Sequence, residues 1–224
     1  MIMDMHLHTN YSDGKNSILE MARCAFELGY KRICFTDHVR STTSWLSEYE
    51  KELDACRKKF QGKLIIGKGI ESKVIDWKGN LDLPADIQKE KWRIVAAIHR
   101  IPDGKGEFIS RNMVNANNIA IIRKAWEYSV LGLALNPSVD CLAHPTNWYV
   151  MWKDSAEFEG IIRTILKKQE NLQLEYNVKY DNSLLSHKFW SEYKGRICMA
   201  SDSHSVQEMA DRYYKIKKAG LFIQ

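Results

Sequence analysis

Asp4, His6 and His8 place three side chains able to bind a metal at alternating positions in the stretch Asp4-Met5-His6-Leu7-His8. On an extended strand alternate side chains leave from one face, so the three converge on a point. Imidazole nitrogens and carboxylate oxygens are ligands of zinc, manganese and iron, so the stretch reads as half of a metal cradle. A lone His-x-His also describes an ordinary strand with two surface histidines. Partners elsewhere in the chain decide between the two.

Six of the seven histidines, His6, His8, His38, His99, His144 and His204, fall at or just after the ends of expected strands, as do Glu71 and Asp202. Any one of them could cap an element or fill a core. All of them at equivalent places point to one shared site. His187 is the exception: it follows Ser186 near a helix start, where a solvated side chain is the simpler reading.

The elements that must position these groups follow from the pattern of apolar residues. Strands are expected over 2–8, 31–36, 64–70, 92–98, 139–143, 172–176 and 196–200, and helices over 18–28, 45–60, 113–130, 158–169, 184–193 and 206–218. Ser17 with Glu20 three residues on forms a helix start, and Gly29 a stop. Residues 72–90 read as an irregular insertion, 101–106 as a Gly/Pro loop, and 221–224 as a short closing segment. Glu175 and Asn177 alternate toward one face at the end of their strand.

Continuous apolar strands alternating with helices indicate a parallel sheet buried on both faces. An open sheet gathers ligands only at its switch point, whereas a closed barrel brings every strand's carboxyl end to one rim. Candidate ligands at the ends of six strands therefore favour an α/β fold of the distorted (β/α)7 TIM-like barrel type, in a single domain over residues 1–224. The runs Arg32-Ile33-Cys34-Phe35-Thr36-Asp37-His38 and Arg196-Ile197-Cys198-Met199-Ala200-Ser201-Asp202-Ser203-His204 echo each other, as if one structural task were performed twice.

With 224 residues, 45% hydrophobic and 27% charged, the chain matches an ordinary globular domain with a substantial core. No apolar run is long enough to span a bilayer, and the amino terminus lacks a charged segment leading into an apolar stretch and a cleavage site. A cytoplasmic protein without a membrane partner is expected. Cys24, Cys34, Cys56, Cys141 and Cys198 are an odd number and widely spaced, so reduced thiols are expected, with Cys34, Cys141 and Cys198 acting as small hydrophobes. The formal charge of +5 suits an anionic substrate better than a cationic one.

The sequence resembles the PHP (polymerase and histidinol phosphatase) superfamily. The matching pieces are Asp4-Met5-His6-Leu7-His8-Thr9 with Ser12-Asp13-Gly14, then Thr36-Asp37-His38, Gly69-Ile70-Glu71, His99, Ala143-His144-Pro145 and Ser201-Asp202-Ser203-His204, in the family's order. The resemblance implies a distorted seven-stranded barrel with a trinuclear site of zinc, manganese or iron. It assigns His6, His8, Glu71 and Asp202 to one metal. A second shares Glu71 as a bridge and adds His99 and His144, and a third takes His38 and His204. Some relatives complete the third site with a histidine in the first loop, where this chain has Asp13. Asp4 and Asp37 are expected to orient ligands rather than bind.

Such a site suits phosphate monoester hydrolysis, in which a metal-bridging hydroxide attacks phosphorus. Asp13, His38 and His204 are the candidates for protonating or holding the leaving oxygen. Arg40, Lys73, Arg100 and Lys179 follow strand ends and could meet phosphoryl oxygens, with Arg100, beside His99, and Lys179 among the residues assigned to substrate. The expected partner is a small phosphate ester, histidinol phosphate among them. One rival is a phosphodiesterase or exonuclease for nucleotides or nucleic-acid ends, with Trp148, Tyr149 and Trp152 as base-stacking candidates; no basic stripe with interleaved aromatics supports it. A second rival is a non-catalytic metal-binding accessory module, disfavoured because eight of the expected ligand positions are filled.

Overall fold

The structure is a computed structural model and describes residues 1–152 and 154–223. Seven parallel strands form one sheet: β1 (Met3–Leu7), β2 (Arg32–Phe35), β3 (Ile65–Lys73), β4 (Arg93–Ala97), β7 (Cys141–Leu142), β8 (Gln173–Asn177) and β9 (Ile197–Ala200), neighbours in that order. The numbers between belong to a two-stranded antiparallel hairpin, β5 (Ile101–Pro102) with β6 (Phe108–Ile109). Behind the last strand the sheet closes on the first. Asp202 N donates to His6 O at 3.0 Å, His8 N donates to Ser203 O at 3.0 Å, and Leu7 pairs in parallel with Ser203. The result is the expected TIM-like barrel. The echo between the runs at 32–38 and 196–204 has a physical counterpart, because these two segments flank β1 on its two sides.

Six helices surround the sheet: α1 (Ile18–Leu28), α2 (Leu46–Lys59), α3 (Ile119–Leu133), α4 (Ser155–Lys168), α5 (His187–Glu192) and α6 (Val206–Ile223). In α1 the capping box forms as the sequence dictates: Ser17 and Glu20 satisfy each other's exposed amides, and Gly29 takes the left-handed turn with φ 90° that ends the helix. Apolar residues on the helices and the outer sheet face form two large buried clusters, one around Trp126, Trp148 and Phe158, the other around Ile33, Tyr49 and Ile70. Inside the barrel, space is scarce. Val95, Ala97, Cys141, Ala143 and Cys198 fill it, and a Cβ on Gly67 would come within 2.9 Å of Cys34 Sγ. The cysteines are free thiols, and Cys34, Cys141 and Cys198 are packing residues as expected.

Several boundaries differ from the sequence reading. Helix α3 starts at Ile119 instead of 113, since 111–113 form only a short 3₁₀ turn, and it runs on to Leu133. The third strand continues past Glu71 to Lys73, and the Gly/Pro loop at 101–106 is largely the hairpin β5–β6. Helix α5 is shorter than expected because Ser186 caps it, its Oγ accepting from Phe189 N at 3.1 Å. The final helix extends through Ile223 where a closing segment was expected, and Gln224 lies outside the described residues. No helix among the described residues is long and apolar enough to cross a membrane.

Candidate metal centre

All eight residues singled out at strand ends arrive at one place, the carboxyl rim of the barrel. His6 is carried by β1 and His8 follows it; both are fully buried. His38 leaves β2, His99 leaves β4, His144 leaves β7, and Asp202 and His204 leave β9. Glu71, on β3, is the hub. Its Oε1 lies 3.0 Å from His144 Nε2 and 3.4 Å from His99 Nε2. Its Oε2 lies 2.8 Å from His38 Nδ1, 3.5 Å from His6 Nε2 and 3.6 Å from His8 Nε2. Five imidazoles thus meet one buried carboxylate whose two oxygens face different partners.

Donor atoms lying within 4.8 Å of one another form three overlapping groups: His6, His8 and Glu71; His38, Glu71 and His99; and His8, Asp13, His38 and His204. Asp13 stands between two rings, 3.4 Å from His38 Nε2 and 3.3 Å from His204 Nε2. Asp202 Oδ1 lies 3.3 Å from His8 Nε2. These donors fit a metal better than one another. Glu71 Oε2, His8 Nδ1 and His144 Nδ1 are buried with no hydrogen bond, although Glu71 Oε2 has three imidazole nitrogens around it. A buried carboxylate oxygen ringed by imidazole nitrogens without donor–acceptor alignment, as Glu71 Oε2 is, is what an ion-binding cradle presents.

Charge balance points the same way. Burial opposes a charge on His6, but Glu175 and Glu71 outweigh it and hold the imidazole well above its ordinary value. Burial likewise opposes a charge on His38, which Glu71 and Asp13 raise to about 10. His8, buried and beside the charges of His6 and His38, falls to about 4 despite Asp202. Hydrogen bonds from His204 and His38 hold Asp13 far below the usual carboxylate range. Four carboxylates, Asp13, Glu71, Glu175 and Asp202, share this rim and need positive charge, from protons or from cations.

The surrounding groups fix the donors in place. Asp37 accepts from Thr9 N at 2.8 Å and Ser12 Oγ at 2.7 Å, tying the first loop to β2. Asp4 accepts from Ser201 N at 2.9 Å, tying β1 to β9, and burial raises its carboxyl to about 7. Neither belongs to the donor groups. Backbone strain is also present: His144 and Asp202, with φ 27° and 53°, are the non-glycine residues of positive φ among those described. Such conformations cost energy and persist where packing and function over-determine them.

Glu175 is the participant that the sequence reading placed on a face but gave no role. Its Oε1 accepts from His6 Nδ1 at 2.7 Å and its Oε2 from His144 N at 2.9 Å, so one buried carboxylate orients two ligand candidates. An acid in a strand buried on both faces was the available signal. Beside the cluster opens a cleft of about 310 Å³ whose wall includes Arg40, Lys73, Arg100 and Phe108. Lys179 sits at another edge, with Nζ 2.6 Å from Asp202 Oδ2. Trp148 and Trp152 are buried in the core cluster with Trp126 and Phe158, Trp152 meeting both rings edge-on, so two of the three aromatic residues after His144 are packing residues; Tyr149 is 46% exposed. His187 lies away from the site, at the first turn of α5.

Fold and site together define a TIM-like barrel with a candidate metal centre at its carboxyl rim. Residues 4–223 match the family model of the PHP domain, and the chain belongs to that family. A DNA polymerase/3'-5' exonuclease PolX of Bacillus subtilis is 25% identical over 218 residues, 93% of this chain and 35% of that protein. A probable phosphatase of Thermoanaerobacter is 30% identical over 152 residues, 66% of this chain and 55% of that protein. The chain thus spans between about a third and about half of these relatives' lengths. A crystal structure of histidinol phosphate phosphatase from Lactococcus lactis, complexed with zinc, L-histidinol and phosphate, shares the fold. Its TM-score is 0.66 at 19% identity, over 97% of this chain and 93% of that one.

Proposed function

We propose that the chain is a metal-dependent phosphomonoesterase whose rim holds three divalent ions, zinc, manganese or iron. The observation that carries this reading is Glu71, a buried carboxylate whose two oxygens face separate sets of imidazoles. One ion is assigned to His6, His8, Glu71 and Asp202, a second to Glu71, His99 and His144, and a third to His38 and His204 with Asp13. The donor groups His6, His8, Glu71 and His8, Asp13, His38, His204 support the first and third. For the second, His99 groups with Glu71 and His38, and His144 Nε2 reaches Glu71 Oε1 at 3.0 Å, while Asp202 joins the first through His8 at 3.3 Å. Bound there, the ions would lower the pKa of water and offset charge on the phosphoryl group.

The chain's own residues do the rest. Glu175 keeps a proton on His6 Nδ1, which leaves Nε2 as the lone-pair donor. Arg100, on the cleft wall, is assigned to the phosphoryl oxygens, and Lys179 can turn to them from Asp202. Asp13, His38 and His204 are open to solvent, with side chains 55%, 25% and 20% exposed, so the departing oxygen would meet an ion held there, and only with that ion absent could these groups pass a proton to it.

The probable phosphatases among the relatives and the likeness to a histidinol phosphate phosphatase support a monoester substrate. Of the three stacking candidates for nucleic acid, Trp148 and Trp152 are buried, which leaves Tyr149 alone exposed and weakens that reading. The test is release of phosphate from histidinol phosphate and from an aryl phosphate with manganese or zinc present, beside a single-stranded oligonucleotide and the Glu71→Ala variant. Cleavage of the oligonucleotide alone would replace this reading by the exonuclease one. Stoichiometric metal without turnover of any ester would favour the accessory module.

A further inference from the structure

We infer that the preferred esters carry a second anionic group on the leaving alcohol and that esters bearing an amine, histidinol phosphate included, are disfavoured. The inference rests on the phosphomonoesterase reading and concerns the cleft wall beyond the metal donors. Three cations line that wall, Arg40, Lys73 and Arg100. The two carboxylates that also line it, Asp13 and Glu71, are turned to imidazoles: Asp13 to His38 and His204, Glu71 to five rings. No acidic side chain in the cleft is therefore left for a substrate ammonium.

The cations are placed by the fold. Asp82 Oδ2 lies 3.3 Å from Lys73 Nζ, and its Oδ1 accepts from Ser41 N at 3.0 Å, so one acid braces both Lys73 and the turn that carries Arg40. Lys73 Nζ also stands 4.9 Å from the centre of the Phe108 ring, on the hairpin strand β6. Trp77 Nε1 donates to Pro102 O at 2.8 Å and holds that hairpin beside the cleft. Arg40 and Arg100 are exposed and have no acidic side chain within 4.0 Å among the described residues. Asp82 offsets Lys73 and Arg100 is assigned to the phosphoryl oxygens, so Arg40 carries the uncompensated charge beyond the phosphate, and its field favours an anion over a cation. Phe108 offers an apolar face to the body of the leaving group.

Three esters on one rigid frame test this: 4-carboxyphenyl phosphate, phenyl phosphate and 4-(aminomethyl)phenyl phosphate, compared by kcat/KM for phosphate release with saturating manganese. The expected order is carboxylate, then neutral, then ammonium, with roughly tenfold between the extremes at low salt and less at high salt. Arg40→Gln should shrink that ratio several-fold, and Lys73→Gln should do so less because Asp82 already engages it. Equal rates for the three esters, or a faster ammonium ester, would overturn the inference while leaving the phosphatase reading intact. No release from any of them sinks both.

Discussion

His6 Nδ1 and Glu175 Oε1 meet at 2.7 Å, both fully buried, at the centre of a rim otherwise made of residues from other strands. The pair fixes which ring nitrogen of His6 carries a proton. The same carboxylate holds His144 through its backbone amide, so Glu175 links strands β1, β7 and β8 at the site.

Glu175→Gln should therefore weaken metal binding by roughly 10- to 100-fold without unfolding the barrel, the size seen when a residue orienting a ligand is changed. Metal titration followed by calorimetry, beside a circular dichroism spectrum, measures both. Unchanged affinity in a folded variant would show that His6 needs no such partner.

Glu71→Ala and His6→Ala should each abolish turnover with most of the fold retained. Glu71→Ala should also lower the metal content by more than one equivalent, because both carboxylate oxygens are engaged. Elemental analysis of the purified variant decides the matter: loss of one equivalent or none argues against the bridge. Asp13→Ala touches only the outermost group, and a partial loss of rate is expected.

Metal affinity should rise with pH and fall on acidification. Glu175 and Glu71 keep His6 protonated well above the ordinary range, and Glu71 and Asp13 hold His38 at about 10. At neutral pH these rings carry protons that a cation must displace, so binding releases protons. Calorimetric titration in buffers of different ionisation enthalpy measures the number released. Heats independent of the buffer would contradict the expectation.

Trp148→Ala should destabilise the protein by about 3–5 kcal/mol, the cost of emptying a large buried aromatic site. The indole is fully buried and its Nε1 donates to Ile98 O at 2.6 Å, one residue before His99. Chemical denaturation gives the stability, and activity should fall as well, since the residue braces the segments carrying both His99 and His144. A change under 1 kcal/mol would return Trp148 to the list of surface aromatics free to stack a base.

The seven barrel strands, the helix start at Ser17 and the ligand candidates at strand ends were legible because each depends on local pattern. Continuous apolar runs mark strands buried on both faces, and a polar residue capable of ligation at the end of such a run stands out. Where the pattern is weak, the sequence misplaced boundaries: 113–118 read as the start of a helix, yet Asn115 and Asn118 bind each other's turn, with Asn115 N donating to Asn118 Oδ1 at 2.8 Å, and delay α3. The hairpin β5–β6 escaped notice because its strands are two residues long and are held by Trp77, distant in sequence.

What tertiary structure alone decided is who meets whom. The closing of β9 onto β1 brings Asp202 and His204 to His8, across nearly the whole chain, and no local rule specifies that distance. It also turned Glu175 inward to His6, sent Lys179 to Asp202, and buried Trp148 and Trp152 in the core. A side chain's type and spacing set what it can bind; burial and the charges packed around it set whether it orients a ligand, neutralises a carboxylate or fills space.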